Sequence, residues 1–406
     1  MGTALGVNSK LVFKRQTAKG TIATVGSAQV LRRETALFEL KKETYTTESE
    51  ITATQQLLSN RHGVKSVDGK VSGILSPNTY SDFLSAALRR EWAAVTPVAA
   101  VGLTIAGAGP TYTVTRAAGS YWTDGFKVGQ VVRFSVGSLN AANLSKNVVI
   151  IALTATIATV MPLNGVALVA EGPISGCTIT ATGKCNFVPD TGHTNIFYTV
   201  ETWDADVPSS ERNLDCKVAS VSLAMPGSGN AKIDLSMIGL DQSYLSTVYF
   251  TTPTVETSTP ALVSASGVLV VAGAAVATVT DLSINIDCKE QPADAVVGSN
   301  IRPDVFRGKV MVTGSFTAYF DSVAFTDLFR NETSSSLIVV LAADSTATSK
   351  FIAVTIPALD VNSITPTDGE TGKKRTYNFV AEYNSVGGTG TGTEKTTIYF
   401  QDTDAA

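Results

Sequence analysis

Apolar and polar positions alternate through most of the chain in short runs bounded by Gly, Pro, Asn and Asp, the pattern of half-buried strands joined by tight turns. Residues 68–92 combine that pattern with a second one. Val71, Gly73 and Leu75 alternate with Lys70, Ser72 and Ile74 as a short strand, and Tyr80, Phe83, Leu84, Ala87 and Leu88 then recur at helical spacing. Ser76 is placed to cap that helix and Pro77 to open it.

The same strand–helix device returns. Residues 313–329 lie over residues 68–84 without a gap. Gly69 meets Gly314, Gly63 meets Gly308, Val67 meets Val312, and the cap Ser76 meets Asp321. The apolar triplet Tyr80, Phe83 and Leu84 meets Phe325, Leu328 and Phe329. Weaker matches surround it. Phe38 and Leu40 match Ile284 and Ile286 after a one-residue slip, and residues 217–222 match 360–365. Ile233 and Leu235 answer Tyr377 and Phe379, and 247–250 answers 397–400. The chain therefore reads as an internal duplication. Its first unit takes residues 1–96 with 191–250, of which 1–30 form an arm, and its second takes 261–406, after a Thr- and Pro-rich linker at 251–260. Residues 97–190 have no counterpart. Their short strands (112–116, 122–135, 147–154, 158–163 and 177–182) predict a small inserted β-barrel or sandwich decorating the outside.

At 406 residues there is room for two or three cores. A net charge of −4 argues against attraction to nucleic acid, although not against a wall that DNA slides past. No apolar run reaches 18 residues, which predicts no membrane span. The N-terminus lacks the pattern of a secretory signal, so synthesis in a cytosol is expected. Cys177, Cys185, Cys216 and Cys288 lack metal-type spacing, although 177–185 reads as a hairpin that brings its two ends near each other; reduced, partly buried thiols are the plainer reading. His62 and His193 sit beside glycines in turn-like settings, with no nucleophile motif near either. No catalytic, metal or cofactor site is predicted. The glycine run 387–392 precedes a strand instead of opening a helix, so it reads as a hairpin tip and not a phosphate cradle. Lys373, Lys374 and Arg375 form the densest basic cluster, read as a solvated turn or a charge pair with a neighbouring subunit.

ETYTTESEI, a polar run ending RHG, and DGKVSGILSPNTYSDFLSAAL together resemble the major tail tube proteins of long-tailed bacteriophages, in the subfamily with a duplicated tube domain. DGFKVGQVVRF in the insert and KVASVSL in the return strand are similar as well. The resemblance implies a mainly β fold of two tandem antiparallel β-sandwich or barrel domains, each with one flanking helix. It implies a structural virion protein whose stacked rings form the conduit for genome ejection. Family rings hold six such domains, so two per chain predict a homotrimeric pseudo-sixfold ring, with a homohexamer as the alternative. The expected partners are further copies of the chain, the tape measure, the tail terminator and the baseplate or tip proteins, while genomic DNA passes unbound along an acidic or neutral lumen. The expected location is the virion tail, after synthesis in the host cytoplasm. The polar loop with Glu48, Glu50, Gln55 and Arg61, and the two terminal arms, are the expected ring-to-ring contacts. The competing readings are a surface adhesin or carbohydrate-binding protein and a virion lysin or depolymerase. The missing signal and the repeat count against the first, and the absence of a marked nucleophile or carboxylate pair against the second.

Overall fold

The alternating pattern folds into antiparallel strands in this computed structural model, which describes residues 3–46, 49, 51, 53–56, 59–276, 278–368, 370 and 372–406. The first half runs β1 (Ser9–Arg15), β2 (Gln29–Val30), β3 (Thr35–Thr46), β4 (Asn60–Ile74) and α1 (Ser81–Leu88). An inserted barrel follows, made of β5 (Val98–Ala106), β6 (Tyr112–Arg116), β7 (Val131–Ser135), β8 (Val148–Leu153), β9 (Ile157–Pro162) and β10 (Glu171–Ala181). The chain continues with β11 (Lys184–Phe187), β12 (Tyr198–Asp204), β13 (Ser209–Pro226), β14 (Lys232–Gly239) and β15 (Asp241–Leu245). The second half runs β16 (Val263–Val271), β17 (Ala274–Ala275), β18 (Val279–Asp287), β19 (Glu290–Pro292), β20 (Val305–Arg307), β21 (Met311–Tyr319) and α2 (Ala324–Arg330). It closes with β22 (Ser335–Ala342), β23 (Phe351–Pro366), β24 (Lys374–Ala381) and β25 (Tyr399–Asp402). Neither helix is long or apolar enough to cross a membrane.

Each half is two sheets sharing one long strand. In the first, the order β3-β4-β14-β13 forms a wall and β2-β1-β12-β13-β15 a shell. β13 serves both, its residues up to Cys216 in the shell and those from Lys217 in the wall. The second half repeats the plan with β18-β21-β24-β23 as wall and β17-β16-β22-β23-β25 as shell. The repeat holds to single residues. Phe38 faces Gly69 as Ile284 faces Gly314, and Leu40 faces Val67 as Ile286 faces Val312, so the one-residue slip is real. The long strands carry a bulge at the same place, between Val218 and Ser220 and between Val361 and Ser363.

The apolar stripe of α1 is buried as its spacing predicts, with Tyr80, Phe83, Leu84, Ala87 and Leu88 all in the core. Several expectations need correction. α1 starts at Ser81, without a side-chain cap, because Ser76 is spent on Thr79 and Arg32 in the turn before it. Asp321 likewise lies ahead of α2, whose first turn has no side-chain cap. The described part of the expected arm at 1–30 is no free arm: β1 pairs with β12 along its length and buries Leu11, Val12 and Phe13. Nor is the C-terminus an arm, since β25 is held between β23 and β11. Gly69 faces Met237 and Gly314 faces Phe379, so Met237, not Leu235, answers Phe379; a two-residue slip keeps every side chain on its face and leaves the pattern unchanged. Residues 247–250 form no strand, and β25 is answered by β15, each on the shell part of its long strand.

The barrel is docked as well as appended. Val131, Val149, Ile151 and Met161 share an apolar cluster with Val270, Ile338, Val340 and Phe351 of the second shell. Gln401 accepts from the Val131 N–H at 2.7 Å and donates to its carbonyl at 2.9 Å.

Candidate functional site

The feature that joins the halves is a strand pair. Beyond the bulge, β13 has β14 on one side and β18 on the other, from Ser220 opposite Asp287 to Pro226 opposite Asp281. The two walls thereby become one antiparallel sheet of eight strands, β3-β4-β14-β13-β18-β21-β24-β23. Its core face carries Phe38, Val71, Leu235, Val221, Ile284, Phe316, Tyr377 and their neighbours. The alternate residues form a polar face rich in Ser, Thr and Asn. On it Ser283 bonds Ser315 at 3.0 Å, Thr317 bonds Thr376 at 2.9 Å and Asn378 donates to Ser363 at 2.8 Å. Two of its lysines are paired in place, Lys41 with Asp68 and Lys232 with Glu34, while Lys70 is exposed and Lys374 lies over the Tyr319 ring.

Glycines let the wall strands close on bulky neighbours. A Cβ at Gly69 would enter the Phe38 ring, and one at Gly314 would enter both the Phe379 ring and the Ser283 carbonyl. The repeated glycine is therefore a site of close approach, covered by an aromatic from a different neighbouring strand in each half.

An ion cluster seals the junction. Lys217 Nζ lies 2.5 Å from Glu290 Oε2, and Arg89 Nη2 lies 3.3 Å from Glu290 Oε1, with the Lys217 and Glu290 side chains each 4% exposed. Burial lowers the Lys217 pKa and raises that of Glu290, each against the pull of its partner. Arg89, at the end of α1, also donates to the carbonyls of Cys288 and Gly308, both at 2.8 Å.

The outer strands of the wall lack such partners. Among the described residues β3 pairs only with β4, and β23 beyond Leu359 only with β24. By position Asp360 answers Lys217. One Asp360 oxygen is buried with no hydrogen-bond partner, and its charge pushes the Glu382 carboxyl above the usual range. α2 is also less covered than α1: Phe325 and Leu328 are half-buried and Phe329 is 42% exposed, against 1% for its counterpart Leu84.

β4 starts at Asn60, well before the expected strand, so the last part of the polar stretch is strand paired with β3. β14 covers β4 only from Val67 on, leaving β3 and β4 to overhang. Arg61 and Gln55 are exposed there, and Tyr45, 54% exposed, lies over Gly63. Glu48 and Glu50 lie outside the described residues. His62 stands on β4 opposite Thr44, not in a turn. In the second half the same connection folds back as β19–β20 onto the first, with Lys65 N–H donating to the Asn300 carbonyl at 2.9 Å.

Sequence reading noted Arg89 with Arg90 only as a weaker basic pair and passed over the charges of Lys217, Glu290, Asp360 and Glu382. Its signal was the match of 217–222 with 360–365, which sets Lys217 against Asp360, opposite charges in otherwise similar strands. The basic cluster stacks within the chain, Arg375 3.6 Å over Phe320 and Lys374 4.9 Å over Tyr319. Residues 387–392 clamp the barrel, the Thr391 carbonyl accepting from Lys127 at 2.8 Å. The four cysteines are free and buried. Among the described residues no group of three or more His, Cys, Asp or Glu is placed to hold a metal.

A family model described as phage tail tube protein matches residues 6–381. No curated protein matches the chain.

Proposed function

Because the chain belongs to the phage tail tube protein family, we propose that three copies close edge to edge into a ring, and that stacked rings form the tube through which the genome leaves the virion. The observation that carries this reading is the junction of β13 with β18. It completes inside one chain the contact that the free edges of β23 and β3 leave open at either end. Three walls of eight strands give a 24-stranded cylinder, and closure pairs the edge N–H and carbonyl groups where β23 and β3 run side by side. The exposed stripe of α2 supports the same reading, since its counterpart is covered where a second half adjoins it.

The polar face then lines the lumen. Its hydroxyls, and the pairing of Lys41 and Lys232 within the chain, limit the sticking points it offers DNA phosphates. The β3–β4 overhang, with Gln55 and Arg61 and the adjoining Glu48 and Glu50, is the contact to the next ring. The ends of the tube meet the terminator and the tip proteins, and the lumen holds the tape measure until ejection. The chain is made in the host cytoplasm and resides in the virion tail.

Electron microscopy of the purified protein at rising concentration tests the proposal. Rings or tubes with three chains per ring are expected. Monodisperse single chains at all concentrations, or six chains per ring, overturn it.

A further inference from the structure

We propose that the next copy joins in one register and with reversed charge: its Leu40 and Glu39 lie opposite Ile364 and Thr365, and the ammonium groups of its Lys41 and Lys42, opposite Ser363 and Asn362, reach along the edge toward Asp360 and Glu382. This rests on the ring reading above and supplies the residue partners of each edge.

The register comes from the internal junction. Val221 faces Ile286 and Ser222 faces Asn285. Val221 and Ser222 correspond to Ile364 and Thr365 through the shared bulge and the shared pairing with β14 or β24. Ile286 and Asn285 correspond to Leu40 and Glu39 through their pairing with β21 or β4. Carrying the internal pairs outward places Ile364 on Leu40, both on the core side of the wall, and Thr365 on Glu39, both on its polar side.

The charges run the other way. Inside the chain the cation, Lys217, stands on β13 and pairs with Glu290, while Asp287 lies opposite Ser220, three residues along, beside Lys289. At the free edges Asp360 takes the place of Lys217, and Lys41 the place of Asp287. Asp360 and Glu382 face one another as like charges, and a buried Asp360 oxygen has no partner. An approaching ammonium relieves both. Lys42, exposed on β3 and in register with Cys288, is the nearest, while Lys41 is shared with Asp68. Swapped polarity also blocks dead ends. Two β23 edges meeting would set acid on acid, and two β3 edges lysine on lysine, so dimers that consume both edges without closing a ring are disfavoured.

Two sets of variants test this. D360K/E382K and K41E/K42E are each expected to raise the concentration needed for assembly by about a hundredfold or more, with unchanged circular dichroism of the monomer, and the four changes together to restore it. For the register, T365C/E39C is expected to cross-link into covalent closed trimers under oxidation and T365C/L37C is not. If either charge variant assembles like the unmodified chain, or the two-residue slip cross-links better, this inference falls while the ring stands. If the unmodified chain forms no rings, the ring reading itself falls.

Discussion

Val221 of β13 lies opposite Ile286 of β18, and both side chains are wholly buried. That pair merges the two walls and makes one core from two halves, since the residues around it belong to a single apolar cluster. Ile286→Ala is expected to cost about 2–5 kcal/mol. Chemical denaturation checks it, and a cost below ~1 kcal/mol means that the walls are not packed together there.

Glu290 holds two cations, Lys217 and Arg89, away from water. Glu290→Gln strands both, with an expected loss of about 3–5 kcal/mol. Because the cluster ties the end of α1 and β13 to the second half, the variant should unfold in two calorimetric steps where the parent unfolds in one.

Gly69 and Gly314 are equivalent but not equally replaceable. Alanine at Gly69 meets the Phe38 ring, which is able to turn aside, whereas alanine at Gly314 meets the Ser283 backbone as well as Phe379. Melting temperatures should fall further for Gly314→Ala than for Gly69→Ala, and the reverse order would contradict the close packing of β18 on β21.

Asp402 is buried near the C-terminus, where its carboxylate accepts from the Asn78 and Asp404 N–H groups at 2.8 Å. Burial nonetheless pushes its pKa up to about 6, from an ordinary value of 3.8. A carboxyl raised by folding adds stability that is full below the unfolded pKa and is lost as pH rises through the folded one. Asp402→Asn keeps one acceptor oxygen and cannot ionise. It should lower stability at pH 4 and remove up to ~3 kcal/mol of the decline between pH 4 and 7, as followed by urea unfolding across that range.

Phe329 lies open on α2 where Leu84 is covered on α1. Phe329→Ser is expected to change monomer stability by less than ~0.5 kcal/mol and to weaken assembly severalfold in sedimentation. Unchanged assembly would remove α2 from the contact between copies.

Much of this was legible in the chain. The strand–helix device survives as an ungapped match because Gly69 and Gly314 each admit a ring that no side chain would allow. The pairing of Phe38 and Leu40 with their counterparts survives because both face the core. What escaped was mostly partnership. Period-two alternation marks which face of β13 is buried, but edge hydrogen bonds leave no side-chain trace, so β18 as a neighbour was invisible. Met237 slipped to Leu235 for the same reason. The first turns of the helices misled because Ser76 and Asp321 have the right chemistry for caps, while a local bond to Thr79 and a tertiary one to Arg32 claim the serine first. The barrel was visible as strands, but its seat was not: Val131, Val149 and Ile151 belong to runs apolar on both faces, and a second buried face does not name what covers it.

The seating of that barrel on one half alone has a geometric consequence. In the proposed cylinder of three chains, six near-identical staves would face inward while only three bosses stood outside, spaced a third of a turn apart. Whatever touched the exterior would then meet a threefold object, while cargo moving down the bore would feel almost none of that unevenness.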